Sequence, residues 1–449
     1  MSDPLIISVS GLRGVFGRSL TPDVARRYAT AFAAELPPGP IVIGRDGRAS
    51  GPVLAEAITS ALAALGRNVL DAGPAATPTV GVLVQSSGAA GGIQISASHN
   101  PSEYNGLKLF SRAGRVIPAA DGQIVLERFQ AGDAASPSAS LPAATQQIAD
   151  ATSDHLRKVE AICDVSRIRS RRFRVLLDAN HGAGAMLGRP LLQSLGCEAI
   201  IRGEQPDGQF DHPPEPTAEN LDGLRPEISK LGIDVAFCQD PDADRLAIID
   251  EQGRYLGEEK TLALCVDHVL RSGRRGPIVT NCSTSRMSED LAAQYDVPFF
   301  RSKVGEANVV DRMLAEQAVL GGEGNGGVID PRVVLVRDSF AAMALVLDAM
   351  TARGLPVSAL ADELPQYAIH KTTIVVPQER VAAALDALQA GFADAAADRL
   401  DGLRLDWPDG AWLLVRPSNT EPIVRAIAEA RSADRAHALC EQARTIIGS

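Results

Sequence analysis

Apolar residues along the chain fall into short runs, and each run leads into a turn rich in glycine or polar residues. The run at 41–43 precedes "GRDGRASG" and then an Ala/Leu-rich helical stretch. "FRVLLDANHGAGAMLGRPLLQSLG" repeats the order strand, glycine turn, helix, and "GPIVTNCSTSRMSEDLAAQY" repeats it again. "GIDVAFCQDPDADRLAIID" predicts two strands around an acidic turn. Because strands that alternate with helices form βαβ units, the pattern predicts α/β domains with mostly parallel sheets.

The last part of the chain has a different pattern. "KTTIVVP", "LRLDW" and "AWLLVRPSNTEPIVRAIAEA" alternate like antiparallel strands beside helices, which predicts a smaller α+β domain. The Ala/Ser/Pro-rich segment 131–144 predicts a linker or irregular surface loop. A chain of 449 residues is long enough for several domains of about 100–150 residues each. We therefore predict domains at 1–148, 149–251, 252–365 and 366–449.

Charge and composition exclude several classes of protein. The net charge of −11 disfavours nonspecific binding to nucleic acid, so a site for an anion must gather positive charge in one cleft. No apolar run reaches the about 18 residues of a membrane span, and the first residues lack the pattern of a signal peptide. Six scattered cysteines without a CxxC pair predict reduced thiols in a cytoplasmic protein and no zinc site. The sequence thus predicts neither a nucleic-acid nor a membrane partner, and it leaves monomer and homo-oligomer open.

One candidate site is the turn after the apolar run "GAAGGIQI", where "SASHNPSEYNGLKLF" places Ser98 at the end of a predicted strand. A hydroxyl there can project into a cleft, and a helix after the turn would offer backbone N–H groups to an anion. The alternative interpretation is that Ser98 only stabilises the turn. A Ser/His/Asp triad is disfavoured because His99 adjoins Ser98 and is expected to point elsewhere, and the G-x-S-x-G pattern is missing.

The acidic run "QDPDADRLAIID" is a candidate metal site. In an extended segment, Asp240, Asp242 and Asp244 would place their carboxylates on one side. Such carboxylates repel each other unless a cation binds, and hard oxygen ligands suit Mg²⁺. An EF-hand is disfavoured because its glycine at loop position 6 and glutamate at position 12 are missing. The alternative is a solvated acidic turn. Arg245 is a candidate for holding a phosphate beside the metal.

Two further loops carry groups that bind phosphates or sugars. "VRPSNTEPIVR" combines rigid proline positions with hydrogen-bond donors, and its alternative interpretation is an ordinary polar turn. In "GGEGNGGVID" (321–330), Glu323 and Asn325 can bind sugar hydroxyls, although glycine-rich loops are common. The donors of the first loop are Arg416, Ser418, Asn419, Thr420 and Arg425.

Taken in order, these stretches resemble the motifs of the α-D-phosphohexomutase family. "SASHNP" is similar to the family's phosphoserine loop T-x-S-H-N-P, with Ser96 in place of threonine, and "DPDADR" to its metal loop D-G-D-x-D-R, with Pro241 in place of glycine. "GEGNGG" resembles the sugar loop G-E-x-S-G-H, and "RPSNTEP" the phosphate loop R-x-S-x-T-E-P. The resemblance implies four domains around a central cleft: three related α/β domains with mixed, mostly parallel sheets, and a smaller α+β C-terminal domain.

The resemblance also implies a reaction. Ser98 would carry the phosphoryl group that moves between a hexose 6-phosphate and a hexose 1-phosphate through a 1,6-bisphosphate, which is both intermediate and activator. The cofactor would be Mg²⁺, bound by the phosphorylated Ser98 and the three aspartates. Arg13 and Lys108 would lie beside the reacting oxygen, with Lys108 as general base at a lowered pKa and His99 orienting the cluster.

Two departures from the family pattern bear on the substrate. Gly327 stands where the sugar loop of the family ends in histidine, and Glu306 in "SKVGEANVV" stands where many relatives have histidine or aspartate. The second departure favours glucosamine phosphate over mannose or glucose phosphate, because a carboxylate attracts a 2-amino group. Alternatively, Glu306 caps a helix near Asn308 or holds Lys303. A metal-dependent sugar phosphatase and a non-catalytic sugar-phosphate-binding protein remain alternative functions.

Overall fold

A computed structural model of the chain describes residues 5–8, 11–132, 143–418 and 423–448. The described residues form four sheets, one within each predicted domain range. The prediction of an α/β protein with a smaller C-terminal α+β domain is confirmed. The boundaries between the domains stay a prediction, and most of the predicted linker lies outside the described residues.

The first domain contains the largest sheet and four helices. Its strands are β1 (Ile6–Ser8), β2 (Gly11–Val15), β3 (Ile41–Arg45), β4 (Val69–Pro74), β5 (Gly91–Ile95), β6 (Tyr104–Ser111) and β7 (Thr145–Gln147). Its helices are α1 (Pro22–Glu35), α2 (Gly51–Ala64), α3 (Thr77–Ser86) and α4 (Ala119–Ala131). The strand order is β1-β2-β6-β5-β3-β4-β7, and β5, β3, β4 and β7 run parallel to one another.

The second and third domains each have a four-stranded mixed sheet. The second contains α5 (Ser153–Glu160), α6 (Val165–Arg171), β8 (Arg174–Asp178), α7 (Gly184–Ser194), β9 (Glu198–Arg202), α8 (Arg225–Leu231), β10 (Val235–Gln239) and β11 (Leu246–Asp250). The third contains α9 (Glu258–Arg271), β12 (Ile278–Asn281), α10 (Met287–Gln294), β13 (Phe299–Ser302), α11 (Glu306–Glu316), β14 (Leu320–Glu323), β15 (Gly327–Ile329), α12 (Ser339–Arg353) and α13 (Val357–Glu363). The strand orders are β11-β10-β8-β9 and β13-β12-β14-β15.

Helix α12 joins these domains through their apolar cores. Its side chains from Ser339 to Met350 are all buried, and it packs against α9 of its own domain and against α5, α6 and α7 of the second domain. One hydrophobic cluster therefore runs from the first domain through the third. Such a shared core fixes the positions of the loops at the strand ends, which carry the candidate site.

The fourth domain has its own core and an antiparallel sheet in the order β16-β20-β19-β18-β17. Its elements are β16 (Ala368–Val375), a 3₁₀ turn (Gln378–Arg380), α14 (Val381–Gly391), β17 (Ala396–Asp398), β18 (Leu403–Asp406), β19 (Trp412–Pro417), β20 (Ile423–Ala430) and α15 (Ala433–Gly448). The strands predicted from "KTTIVVP", "LRLDW" and "AWLLVRP" are β16, β18 and β19. The α+β character predicted for this part of the chain is confirmed.

Buried polar contacts attach the fourth domain to the third. The carboxylate of Glu429 accepts hydrogen bonds from the Trp412 indole at 2.7 Å and from the backbone N–H of Arg286 at 2.8 Å. The guanidinium of Arg404 lies 4.1 Å from the centre of the Trp412 ring and donates to the Cys282 carbonyl at 2.6 Å. These contacts hold the strands that flank the predicted phosphate loop against the third domain.

Among the described residues, no single helix is both long and apolar enough to cross a membrane. Helices α12 and α13 reach that length and hydropathy only as a pair, which bends by 89° at the junction.

Candidate active site

Ser98 lies in the turn between β5 and β6, which pair antiparallel. The expectation of a helix after this turn is wrong, because the chain continues as strand β6. Ser98 has a left-handed backbone with φ of 52°, and its N–H donates to the Ser96 hydroxyl at 2.8 Å. Its own hydroxyl is fully buried and donates to Asp240 Oδ2 at 2.7 Å. The serine turn of the first domain thus meets the acidic turn of the second.

Two buried residues that the sequence analysis missed support the Ser98 turn. Asp46 accepts a hydrogen bond from the Ser96 hydroxyl at 2.7 Å and forms an ion pair with Arg48 at 3.2 Å. Arg48 also donates to the carbonyls of Ser98 and Asn100, each at 2.6 Å. Both side chains lie in "GRDGRASG", which the sequence analysis had noted only as a turn. Together they hold Ser98 in a backbone conformation that few non-glycine residues adopt.

The three aspartates lie on a tight turn between β10 and β11. The N–H of Ala243 donates to the Asp240 carbonyl at 2.8 Å, and Ala243 has a φ of 53°. The expectation of an extended segment is therefore wrong, but the expected convergence is present. One carboxylate oxygen from each of Asp240, Asp242 and Asp244 lies within 4.8 Å of the others, and all three residues are buried. Burial, together with the charges of Asp244 and Asp242, raises the pKa of Asp240 well above its ordinary value.

In both Asp242 and Asp244, only one of the two carboxylate oxygens accepts hydrogen bonds from the described residues. Asp242 Oδ2 accepts from the Thr77 hydroxyl and from Lys108 Nζ at 2.6 Å. Asp244 Oδ2 accepts from Lys108 Nζ and from Arg337, both at 2.6 Å. Within the described part of the chain, the buried Oδ1 atoms of both aspartates have no hydrogen-bond partner. Because buried polar atoms normally have partners and carboxylates are hard ligands, this set fits Mg²⁺.

Lys108 reaches the aspartates from β6, where it pairs with Gln94 on β5 and with Gly11 on β2. Burial by itself lowers the pKa of Lys108, but the carboxylates of Asp242 and Asp244 raise it more, so the pKa ends above its ordinary value. The expected lowering of this pKa by nearby positive groups is therefore wrong.

His99, Arg13 and Arg245 complete the surroundings of Ser98. His99 Nδ1 lies 3.4 Å from the Ser98 hydroxyl, so the expectation that it points elsewhere is wrong. Burial and the charges of Arg245 and Arg13 lower the pKa of His99 to about 2, which keeps the ring neutral. Arg13 donates to the side chain of Asn100 at 2.9 Å, and Arg245 lies 3.4 Å from Glu215.

The predicted sugar loop begins at the end of β14 in the third domain. Glu323 Oε1 accepts from Asn281 Nδ2 at 2.7 Å and from the Gly305 N–H at 3.2 Å, and Glu323 Oε2 accepts from Arg337 at 2.6 Å. Among the described residues, Asn325 Oδ1 is buried without a hydrogen-bond partner. Of the two side chains predicted to contact a sugar, Glu323 therefore has a carboxylate held by three hydrogen bonds. Asn325 has an amide oxygen without a hydrogen-bond partner among the described residues.

Glu306 is the first residue of α11, which therefore begins two positions before the predicted start near Asn308. The contacts of its carboxylate are with Arg337 and not with Lys303: Oε1 accepts from the Arg337 backbone N–H at 2.7 Å, and Oε2 lies 3.6 Å from Nε. Burial raises the pKa of Glu306, and the charge of Arg337 partly offsets the rise. The alternative of a contact with Lys303 is wrong.

The predicted phosphate loop connects β19 to β20. Arg416 and Arg425 lie opposite each other on these strands, so their side chains share one face of the sheet. Arg416 forms an ion pair with Asp401 at 3.2 Å, and the N–H of Ser418 donates to the carbonyl of Ile423 at 2.9 Å. Two cations placed directly opposite repel each other, so an anion between them would be stabilising. Asn419 and Thr420 lie outside the described residues.

Arg337 is a third buried residue that the sequence analysis missed. It precedes α12 and bonds to Asp244, Glu323 and Glu306, while its side chain is 8% exposed. A lone Arg-Asp pair between the apolar runs "VVLV" and "SFAAM" was the available signal, because a charge in such a place is expected to have a buried partner.

Family models match along almost the whole chain. They are described as phosphoglucomutase/phosphomannomutase alpha/beta/alpha domain I (residues 5–136), domain II (153–253), domain III (258–367) and the C-terminal domain (374–446). The chain is 37% identical to a phosphoglucomutase/phosphomannomutase of Thermococcus kodakarensis, with 96% of each chain covered. It is 32% identical to a probable phosphoglucosamine mutase of Methanopyrus kandleri, with 96% of this chain and 95% of the relative covered.

Two solved structures are similar to this chain over almost its full length. A phosphoglucomutase/phosphomannomutase family protein from Burkholderia thailandensis superposes with a TM-score of 0.86 at 26% identity, over 99% of this chain and 98% of that one. A putative phosphomannomutase from Thermus thermophilus superposes with a TM-score of 0.84 at 25% identity, over the full length of both chains.

Proposed function

Because the chain belongs to the phosphoglucomutase/phosphomannomutase family, we propose that it is a phosphohexomutase that transfers a phosphoryl group through Ser98. The observation that carries this proposal is the 2.7 Å contact of the Ser98 hydroxyl with Asp240, inside a buried acidic cluster. A nucleophile fixed beside a site for a divalent cation is the arrangement that phosphoryl transfer needs, because the reaction depends on positioning and on charge neutralisation.

The reaction proceeds in two transfers. In the first, the bond between phosphorus and the oxygen of phosphorylated Ser98 breaks, and a bond forms to the free hydroxyl of the hexose monophosphate. The hexose 1,6-bisphosphate then turns over in the cleft, the bond between its other phosphorus and the sugar oxygen breaks, and a bond forms from that phosphorus to the Ser98 oxygen. In each transfer, the proton of the accepting hydroxyl passes to a base and then to the oxygen that leaves. The residues that would hold Mg²⁺ are the phosphorylated serine with Asp240, Asp242 and Asp244, and the cation supplies positive charge near the phosphoryl oxygens.

The remaining residues bind and orient the substrate. The charges of Arg245 and Arg13 act on His99, which adjoins Ser98, so both arginines would supply positive charge to the phosphoryl group. Neutral His99 is placed to orient the serine oxygen. Lys108 is proposed as the general base for the hydroxyl that accepts the phosphoryl group. This role requires neutralisation of the two aspartates that now raise the pKa of Lys108. The distal phosphate binds at Arg416 and Arg425, together with Ser418, Asn419 and Thr420.

The proposed substrate is glucosamine phosphate, and the alternative is mannose or glucose phosphate. Glucosamine 6-phosphate, mannose 6-phosphate and glucose 6-phosphate should be assayed in parallel, each with its own 1,6-bisphosphate as primer. Formation of the 1-phosphate without inorganic phosphate supports a mutase. Inorganic phosphate without isomer would instead support the metal-dependent phosphatase, and binding without either product would support a non-catalytic binding protein.

Replacing Arg416 with alanine should weaken the binding of every hexose phosphate to the same extent. The substitution removes a charge-assisted contact with the distal phosphate, worth about 2–4 kcal/mol, so KM should rise about 100-fold for all three sugars. Steady-state kinetics with the three sugars measures this. Arg399→Ala is the matched control, because Arg399 is an exposed arginine of the same domain that pairs with Asp386. A loss confined to one sugar would mean that this loop recognises the sugar instead of the phosphate.

Replacing Glu306 with glutamine should change the choice between sugars. Glutamine keeps an acceptor for the Arg337 N–H and removes the charge that would attract a 2-amino group. The ratio of kcat/KM for glucosamine 6-phosphate over glucose 6-phosphate should therefore fall about tenfold. Glu316→Gln, at the other end of α11, is the control. An unchanged ratio with both activities intact would leave Glu306 with only its contacts to Arg337.

A further inference from the structure

The space beside Gly327 is filled by the side chain of Arg337. A Cβ atom added at position 327 would lie 2.3 Å from Arg337 Cδ and 2.8 Å from Cγ, closer than van der Waals contact allows. Gly327 is also the register partner of Glu323 across β14 and β15. A side chain at position 327 and the present placement of Arg337 therefore exclude each other.

We propose that Arg337 takes over the place left by the missing side chain at position 327 and is the positioning residue that orients Glu323 toward the sugar. The proposal rests on the proposed function, since it assigns a role within the same cleft. Arg337 lies in the segment before α12, and its methylene groups lie beside Gly327. The guanidinium then lies between the sugar loop and the acidic turn.

The contacts of Arg337 join three separate segments of the chain. One terminal nitrogen donates to Glu323 Oε2 at 2.6 Å and the other to Asp244 Oδ2 at 2.6 Å. The backbone N–H donates to Glu306 Oε1 at 2.7 Å, and Nε lies 3.6 Å from Glu306 Oε2. Since a buried carboxylate without a partner is costly, one guanidinium stabilises three carboxylates in a single arrangement.

Glu323 accepts hydrogen bonds from three donors, and its carboxylate can still accept one from a substrate. Its carboxylate has about four acceptor positions, and Asn281, Gly305 and Arg337 each supply a donor for one of them. About one acceptor position therefore remains for a sugar hydroxyl. Arg337 determines which direction that position faces, because it is the only charged donor among the three.

Arg337 positions groups but does not transfer protons. A guanidinium is not deprotonated in proteins, and this one lies 2.6 Å from a carboxylate oxygen of Glu323 and 2.6 Å from one of Asp244. The side chain thus remains charged at every working pH. Neither Gly327 nor Arg337 can therefore act as an acid or base, and another group must transfer the proton.

The first test compares Arg337→Lys with Arg332→Lys. An ammonium group cannot bond to Glu323 and Asp244 in the geometry of a guanidinium, so the orientation of Glu323 should be lost while the positive charge remains. The KM for the hexose phosphate should rise at least about tenfold and by a larger factor than kcat falls, because contacts to sugar hydroxyls exist in both ground and transition states. Arg332, which pairs with Asp330 and is 34% exposed, should tolerate the same change.

Calorimetric binding of glucosamine 6-phosphate without the bisphosphate primer provides a second readout. The affinity of Arg337→Lys should fall by the same factor as its KM rises. If the wild-type protein isomerises hexose phosphates and Arg337→Lys matches it in KM and affinity, the role of Arg337 is wrong and the proposed function stands. If the wild-type protein does not isomerise them, the proposed function fails, and the binding comparison still decides the role of Arg337.

A double-mutant cycle tests the exchange between positions 327 and 337. Gly327→Ala should raise KM by at least about fivefold, because the new methyl group displaces an arginine that two carboxylates hold. In an Arg337→Ala background, the same substitution should change KM less than about twofold. The proposal would be overturned if the factors by which the two substitutions raise KM simply multiplied in the double variant. It would also be overturned if Gly327→Ala left KM unchanged. Should Arg337→Ala not fold, Gly327→Ala and Arg337→Lys alone decide it.

Discussion

Replacing Ser98 with alanine is expected to abolish the interconversion of hexose 6-phosphate and 1-phosphate. The substitution removes the oxygen that carries the phosphoryl group, and without it neither transfer can occur. The rate should fall by at least about 10⁴-fold, as for other removals of a catalytic nucleophile. The fold should persist, because the change deletes one hydrogen bond to Asp240 and leaves the contacts of Arg48 to the carbonyls of Ser98 and Asn100.

Kinetics, mass spectrometry and thermal unfolding check this prediction together. Incubation with hexose 1,6-bisphosphate should add one phosphoryl group to the wild-type protein at Ser98 and none to the alanine variant. Ser170→Ala is the matched control, since the Ser170 hydroxyl bonds only locally to the Arg167 carbonyl on an exposed helix. Interconversion by the alanine variant at a rate close to that of wild type would refute the covalent mechanism.

Replacing Asp242 with asparagine is expected to lower kcat/KM by at least about 100-fold. The side chains have nearly the same volume, and an asparagine oxygen can still accept from Thr77 and Lys108. The change therefore acts mainly by removing one of three converging negative charges. The concentration of Mg²⁺ for half-maximal activity should rise, and chelation should abolish wild-type activity until Mg²⁺ is added back.

A thermal shift separates binding of the cation from its effect on the reaction. Added Mg²⁺ should raise the Tm of the wild-type protein, because a ligand that binds only the folded state stabilises it. The rise should be much smaller for Asp242→Asn and unchanged for Asp386→Asn, where the aspartate side chain is 71% exposed. Activity that survives chelation, with equal Tm shifts in all three proteins, would exclude Mg²⁺ from the acidic turn.

Local patterns in the sequence were sufficient to predict part of the secondary structure. The predicted order strand, turn, helix in "GPIVTNCSTSRMSEDLAAQY" is confirmed as β12 and α10, and the two strands around the acidic turn as β10 and β11. Each depends on the period of apolar residues within one segment, which the sequence displays directly. The gathering of Ser98 and the three aspartates could be predicted for a different reason, since the order of their motifs resembles that of a family.

The sequence was insufficient to predict the features that depend on contacts between segments far apart in the chain. Ser98 is followed by a strand because β6 pairs with both β5 and β2, a pairing that no local pattern displays. The pKa of Lys108 is raised because its Nζ lies 2.6 Å from two aspartates more than 130 positions along the chain. Arg337 likewise became a candidate only when its distances to Glu323 and Asp244 were known. Segments determine their own helices and strands through short-range periodicity, whereas burial and the distances between charges depend on how those segments pack.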